Sequence, residues 1–152
     1  MSPVHPSRLM YVDSSVLVKL FVREPDSDYW GRLLDRKAIS SSMLAYTEVW
    51  SALTAKARSH SIPRRIKDEA WRRFDLHCLD DTLELTSISD AILRRANWII
   101  ERVHSRVPLR SLDAIHLATA DQLQDWPLVT DDLGMRAAAA AMGYPLCAAP
   151  PE

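Results

Sequence analysis

Four carboxylates stand where apolar runs end or helical patterns begin, a fifth lies beside an apolar helical stripe, and together they suggest one chemistry. Asp13 directly follows Met10-Tyr11-Val12, and Asp131 and Asp132 directly follow Leu128-Val129-Thr130. If those runs are buried parallel strands, the acids fall beyond their carboxyl ends, where ligands collect in open α/β sheets. Asp113 lies near the start of a helical pattern. Each also has a structural explanation: Asp13 as a helix cap, Asp131–Asp132 as a capping turn, and Asp113 as a complement to the helix dipole. Glu48 is harder to explain that way. It lies three residues after Ala45 and four before Ala52, on or beside the small apolar stripe of its helix. A carboxylate turned toward a core needs a partner, because burying it alone is expensive, and a bound cation would supply one. Three or four carboxylates meeting in one cleft repel one another unless Mg²⁺ or Mn²⁺ sits between them. Such a cluster supports hydrolysis of a phosphodiester by a metal-activated water.

The elements that must position these acids are legible from periodicity. Leu9 to Val12 reads as a buried strand, and Ser14 to Val22 as a helix stopped near Pro25. Asp26 is placed to cap a second helix that turns Tyr29, Trp30, Leu33 and Leu34 inward. Ala38 to Ser40 reads as a short strand. The pattern from Ser42 to about Ser59 is helical, with Ala45, Val49, Ala52 and Leu53 on one stripe. Pro63 opens another helix, in which Ile66, Ala70, Phe74 and Cys78 recur every four residues, joined by Trp71. Leu83 to Ile88 alternates like a strand, and Ser89 is placed to cap a helix from Asp90 to Val103. Ser111 starts a helix to about Leu123, with Leu112, Ile115, Ala120 and Leu123 expected inward. Leu128 to Thr130 reads as a buried strand, Leu133 to Met142 as a helix with Gly143 as its stop, and Pro145 to Cys147 as an edge strand. Alternating strands and helices predict a three-layer α/β/α fold with a mainly parallel central sheet.

At 152 residues, with 47% hydrophobic and 26% charged content, the chain suits one ordinary globular domain over residues 1–152. Two cysteines, Cys78 and Cys147, suggest neither a disulfide framework nor a zinc site. The amino-terminal residues MSPVHPSRL lack the apolar run of a signal peptide, and no stretch approaches a membrane span, so a cytoplasmic protein with no membrane partner is expected. Both Pro-rich ends read as tails. The net charge is −1, but setting aside Asp13, Glu48, Asp113 and Asp132 leaves 16 acidic against 19 basic residues. Residues 94–110 carry five arginines against Glu101 alone, and residues 56–73 are similarly basic. An acidic hole in a mildly basic surface is compatible with a polyanionic substrate, although solvated helix faces account for the arginines equally well.

The runs MYVDSSVLVKLFV, AYTEV, LRSLDAIHLATA and LVTDDLGMRAAAAAMG, in that order over nearly the whole chain, resemble the PIN domain. The resemblance is strongest to the VapC-type toxins of VapBC toxin–antitoxin systems. It implies Asp13 and Asp113 as principal metal ligands, Glu48 as a third acid, and Asp132 as the fourth, with the adjacent Asp131 as its competitor. Ser14 and Thr130 match small hydroxyl positions that help hold such a site. The resemblance further implies an endoribonuclease that uses Mg²⁺, with Mn²⁺ as a substitute, on tRNA or rRNA. It also implies inhibition by a cognate VapB-type antitoxin, and a homodimer with Trp30 or Trp50 as candidate contacts.

Two other readings compete. A catalytically silent PIN-like module that only binds RNA or protein could dispense with the acids, yet every expected acid is present. A phosphatase of the haloacid dehalogenase type also places an Asp after its first strand, but it wants a second Asp two positions later, where this chain has Ser15. His116, one helical turn beyond Asp113, reads as packing on its helix, and His60 and His104 as surface residues in basic segments. The five tryptophans read as core or dimer contacts. No P-loop or dinucleotide-binding glycine pattern is present.

Overall fold

In the computed structural model, residues 9–152 are described, and three short parallel strands organise them. The elements run β1 (Met10–Tyr11), α1 (Ser14–Phe21), α2 (Ser27–Leu34), β2 (Ile39–Ser42), α3 (Leu44–Arg58), α4 (Arg64–Leu79), β3 (Leu83–Thr86), α5 (Asp90–Val103), α6 (Ser111–Leu123) and α7 (Leu133–Met142). The sheet order is β1-β2-β3, with Met10 opposite Ile39 and Ser42 opposite Thr86. Beyond β1 the sheet continues through single parallel bridges, Val12 to Val129 and then Leu128 to Leu146. The runs read as strands at 128–130 and 145–147 are therefore present in the expected places, in bridge form. The reading of a Pro-rich amino-terminal tail falls on residues 1–8, outside the described residues.

Alternation along the strands makes the three layers. Tyr11 and Leu128 face a core built with α5, α6 and α7, while Val12 and Val129 face a second core built with α1 to α4. Successive strand side chains point to opposite faces, so one strand can anchor both layers. Ser89 caps α5 as expected, accepting from the Ile92 N–H, and Gly143 ends α7 in the left-handed conformation at φ 73°.

Several sequence expectations need correction. The helix expected from Ser42 starts at Leu44, because Ser40, Ser41 and Ser42 belong to the central strand and are buried there. Small side chains let helices sit close above a middle strand, and Ser42 Oγ still accepts from the Leu44 N–H to open α3. Strand β3 ends at Thr86 rather than Ile88. Leu112 is 47% exposed, not inward. Helix α6 packs against β2, α5 and α7, so it buries Ala114, His116, Leu117, Ala118 and Ala120 around most of its girth instead of along one stripe. Asp26 occupies the cap position of α2 but makes no side-chain cap; its Oδ2 accepts from Lys19 Nζ at 2.6 Å and Trp30 Nε1 at 3.1 Å. Trp30 itself is fully buried and cannot be an exposed dimer contact, whereas Trp50 is exposed.

The segment carrying Thr130 to Asp132 is tied down by Arg136 of α7. Its Nη1 donates to the Thr130 carbonyl and its Nη2 to the Cys147 carbonyl, each at 2.9 Å. Arg136→Met keeps the aliphatic stem and removes both charged donors. It is expected to destabilise the protein by about 2 kcal/mol, read as a lower urea midpoint at unchanged slope. An unchanged midpoint would show that the two carbonyls are satisfied without the guanidinium.

Candidate active site

The four acids arrive in one cleft from four separate elements. Asp13, Glu48, Asp113 and Asp132 line a narrow recess of about 190 Å³, together with Ser14, Ser15, Arg110 and His116. It adjoins a wider cleft of about 470 Å³ lined by Glu48, Arg110, Ser111, Leu112 and Asp113. A larger concavity of about 710 Å³ lies between α2 and Pro150–Pro151, away from these acids.

Asp13 sits between the end of β1 and the start of α1, 2% exposed. Its Oδ1 accepts from Ser15 Oγ at 2.7 Å and from the Val16 N–H at 3.4 Å, and its Oδ2 accepts from Thr130 Oγ1 at 2.6 Å. It is both a helix cap and a lining acid, so the two readings left open by the sequence coexist. Thr130 and Ser15 supply the two hydroxyls on Asp13, while Ser14 lines the recess without bonding that carboxylate. The reason is register: the capping geometry turns the residue two beyond the cap back onto the carboxylate. Burial pushes the Asp13 carboxyl above the ordinary Asp range, against the lowering effect of the Ser15 and Thr130 hydroxyls and the Val16 N–H.

Asp132 caps α7, with Oδ1 accepting from the Met135 N–H at 2.8 Å. A side chain on Gly134 would come within 3.3 Å of that oxygen, so the glycine leaves the carboxylate room. Asp131 is drawn elsewhere: Lys19 Nζ donates to its Oδ2 at 2.7 Å, and its N–H donates to Ser15 Oγ. Asp113, in the first turn of α6, is raised above its ordinary value by burial and by the Asp132 charge, with Arg110 acting in the opposite direction.

Glu48 does have a partner, and it is a protein side chain. His116 Nε2 lies 2.5 Å from Glu48 Oε1, and His116 Nδ1 lies 2.7 Å from the Tyr11 hydroxyl. Burial raises the Tyr11 phenol well above its ordinary value, so it keeps its proton. With Tyr11 donating to Nδ1, Nε2 carries the hydrogen that donates to Glu48, which satisfies both ends of the imidazole. Sequence reasoning assigned His116 to packing and did not connect it with Tyr11 or Glu48. It also left Arg110 unassigned. Arg110 Nε donates to Asp113 Oδ2 and its Nη2 to Asp132 Oδ2, both at 3.1 Å.

The donor set is all oxygen, which suits a hard divalent cation. As the side chains stand, no group of three His, Cys, Asp or Glu among the described residues is gathered to hold an ion. Each acid accepts from a protein donor, and its remaining lone pairs are open to an ion.

The sequence profile of the PIN domain matches residues 10–141. The chain belongs to the PIN-domain family. Within it, the chain is of the VapC type: ribonuclease VapC46 of Mycobacterium tuberculosis is 39% identical over 142 residues, covering 91% of this chain and 96% of that protein. Among solved structures, M. tuberculosis VapC20, a sarcin–ricin loop cleaving toxin, matches with TM-score 0.67 at 17% identity over 85% of this chain and 94% of that one. A chain of a toxin–antitoxin complex from Klebsiella pneumoniae matches with TM-score 0.58 at 22% identity over 87% and 93%. At those identities the two structures show the shared fold alone.

Two measurements follow from this PIN-domain geometry. If Tyr11, His116 and Glu48 form one connected chain, Tyr11→Phe and His116→Leu should be non-additive in a double-mutant cycle by about 1 kcal/mol. Additive losses would mean independent packing. Asp13 and Asp113 have folded values raised above the unfolded one, so the folded state holds more protons between the two. In chelator, stability should therefore fall as pH rises from about 4 through the raised values. Asp113→Asn should flatten part of that fall, and a wild-type-like pH slope in that variant would refute it.

Proposed function

We propose that this chain, acting as a single PIN domain over residues 1–152, is a Mg²⁺-dependent endoribonuclease and the toxin of a toxin–antitoxin pair. The observation that carries this reading is the convergence of Asp13, Glu48, Asp113 and Asp132 on one recess at the carboxyl ends of parallel strands. The relationship to VapC46, named a ribonuclease, supports RNA as the substrate.

Asp13 and Asp113 would hold the ion most directly, with Glu48 and Asp132 completing an oxygen donor set that Mn²⁺ also fits. Held by these residues, a divalent cation would supply a water of lowered pKa and positive charge for the departing oxygen. The chain's own residues supply the geometry. Ser15 and Thr130 fix both oxygens of Asp13, so its carboxylate cannot rotate away from the recess. His116 takes up Oε1 of Glu48 and holds the side chain against the recess wall, positioned to orient a water. Arg110 provides positive charge at the mouth, where a phosphate must enter.

The substrate in this reading is tRNA or rRNA, whose loops present unstacked bases and an accessible backbone. The partner is a VapB-type antitoxin whose basic side chain would enter the acid recess, since a guanidinium fork matches paired carboxylate oxygens. A cytoplasmic setting belongs to the same reading, and no helix among the described residues is long and apolar enough to cross a membrane. A homodimer is also part of it, with Trp50 as the remaining aromatic candidate. A phosphatase using Asp13 as nucleophile is disfavoured, because three donors from Ser15, Val16 and Thr130 clasp that carboxylate.

The test is an RNA cleavage assay in Mg²⁺ or Mn²⁺, with reversible loss in EDTA. Asp13→Asn and Asp113→Asn should each lower cleavage by roughly a hundredfold or more, while melting in EDTA stays at or above the wild-type temperature. Undiminished cleavage in chelator would overturn the metal-dependent reading. Variants that unfold would make the acids structural caps only.

A further inference from the structure

Arg110 spans the mouth of the acid recess and contacts two of its four carboxylates at once, Asp113 through Nε and Asp132 through Nη2. The exposures are unequal: its side chain is 75% exposed, those of Asp113 and Asp132 are 14% and 27%. The guanidinium thus reaches in from solvent, while the acids are set back. Among the residues lining the two adjoining clefts it is the only permanent cation. Its side chain does not cap α6, although its backbone occupies the cap position, so helix initiation does not explain it.

Building on the ribonuclease reading, we infer that Arg110 is an exchangeable counterion, which yields Asp113 and Asp132 to a divalent cation and then grips an RNA phosphate at the mouth of the same cleft. Arg110 occupies one oxygen of each acid, Asp113 Oδ2 and Asp132 Oδ2, and its positive charge beside them repels an entering divalent ion. Displaced, the guanidinium stays tethered three residues before Asp113, on the open side of the recess. There the same planar fork that matches a carboxylate matches a phosphate. One residue would then hold the acids together before the ion arrives and recruit the polyanion afterwards. An ordinary surface ion pair would do neither.

The two roles predict opposite effects of one substitution. Arg110→Gln removes the charge and touches no backbone contact, and Arg110→Lys keeps the charge but loses the fork. Mn²⁺ binding, titrated by calorimetry without RNA, should tighten roughly three- to tenfold in Arg110→Gln, with a larger Mn²⁺-induced rise in melting temperature. In saturating Mn²⁺, KM for RNA should rise, and its log–log salt dependence should become shallower by about 0.7, the share of one single-strand phosphate. Arg110→Lys should show a smaller gain in Mn²⁺ binding, with KM still raised. Mn²⁺ binding that is unchanged or weaker in Arg110→Gln overturns the counterion exchange. Tighter Mn²⁺ binding with unchanged KM and salt slope overturns the phosphate grip. If the wild type cleaves no RNA at all, the ribonuclease reading fails, and with it the phosphate role. The calorimetric arm still decides, by itself, whether Arg110 competes with the ion.

Discussion

Like-charge repulsion in a confined recess is the constraint on which the rest of this structure depends. Four carboxylates cannot be set back from solvent in one cleft unless each has a compensating donor, and each one does. Asp13 is clasped by two hydroxyls and a backbone N–H, Glu48 by an imidazole, and Asp113 and Asp132 by one guanidinium. Burial still pushes Asp13 and Asp113 above the usual carboxylate range, and the Asp132 charge adds to the rise at Asp113. The site is therefore poised to release strain when positive charge enters, which is the electrostatic condition for binding a divalent ion.

The backbone contributes to the same compensation. Asp13 caps α1, Asp132 caps α7, and Asp113 lies in the first turn of α6. Three helix amino termini thus converge on the recess, and the positive ends of their dipoles favour negative charge there. Capping a helix and lining the recess are compatible roles for these acids. A parallel sheet with helices returning on both faces brings the helix starts to the carboxyl ends of the strands, so residues that stabilise those starts also line the recess.

Two tertiary contacts set the finer arrangement. Lys19 pairs with both Asp26 and Asp131, which draws Asp131 toward α1 and leaves Asp132 to line the recess. Tyr11, on the face of β1 opposite Val12, reaches His116 of α6, and His116 reaches Glu48 of α3. An acid on one helical layer is thereby aimed by a residue of the other, through the sheet.

The sequence by itself determined the alternation of strands and helices, the position of Asp13 and of the Asp131–Asp132 pair after apolar runs, and the oddity of Glu48 beside a core stripe. Those features are local: burial period, capping chemistry and strand ends are written in residues a few positions apart. It also carried the family resemblance, through four short blocks in order. Only the tertiary structure decided which of Asp131 and Asp132 lines the recess, that Ser15 rather than Ser14 donates to Asp13, and that His116 contacts one oxygen of Glu48. It also turned Leu112 outward, buried Trp30 and drew Ser41 and Ser42 into the central strand. Each of these depends on a contact between residues far apart in the chain, Lys19 with Asp131 or Tyr11 with His116. No pattern of neighbours records such a contact, because its energy exists only once the layers have packed.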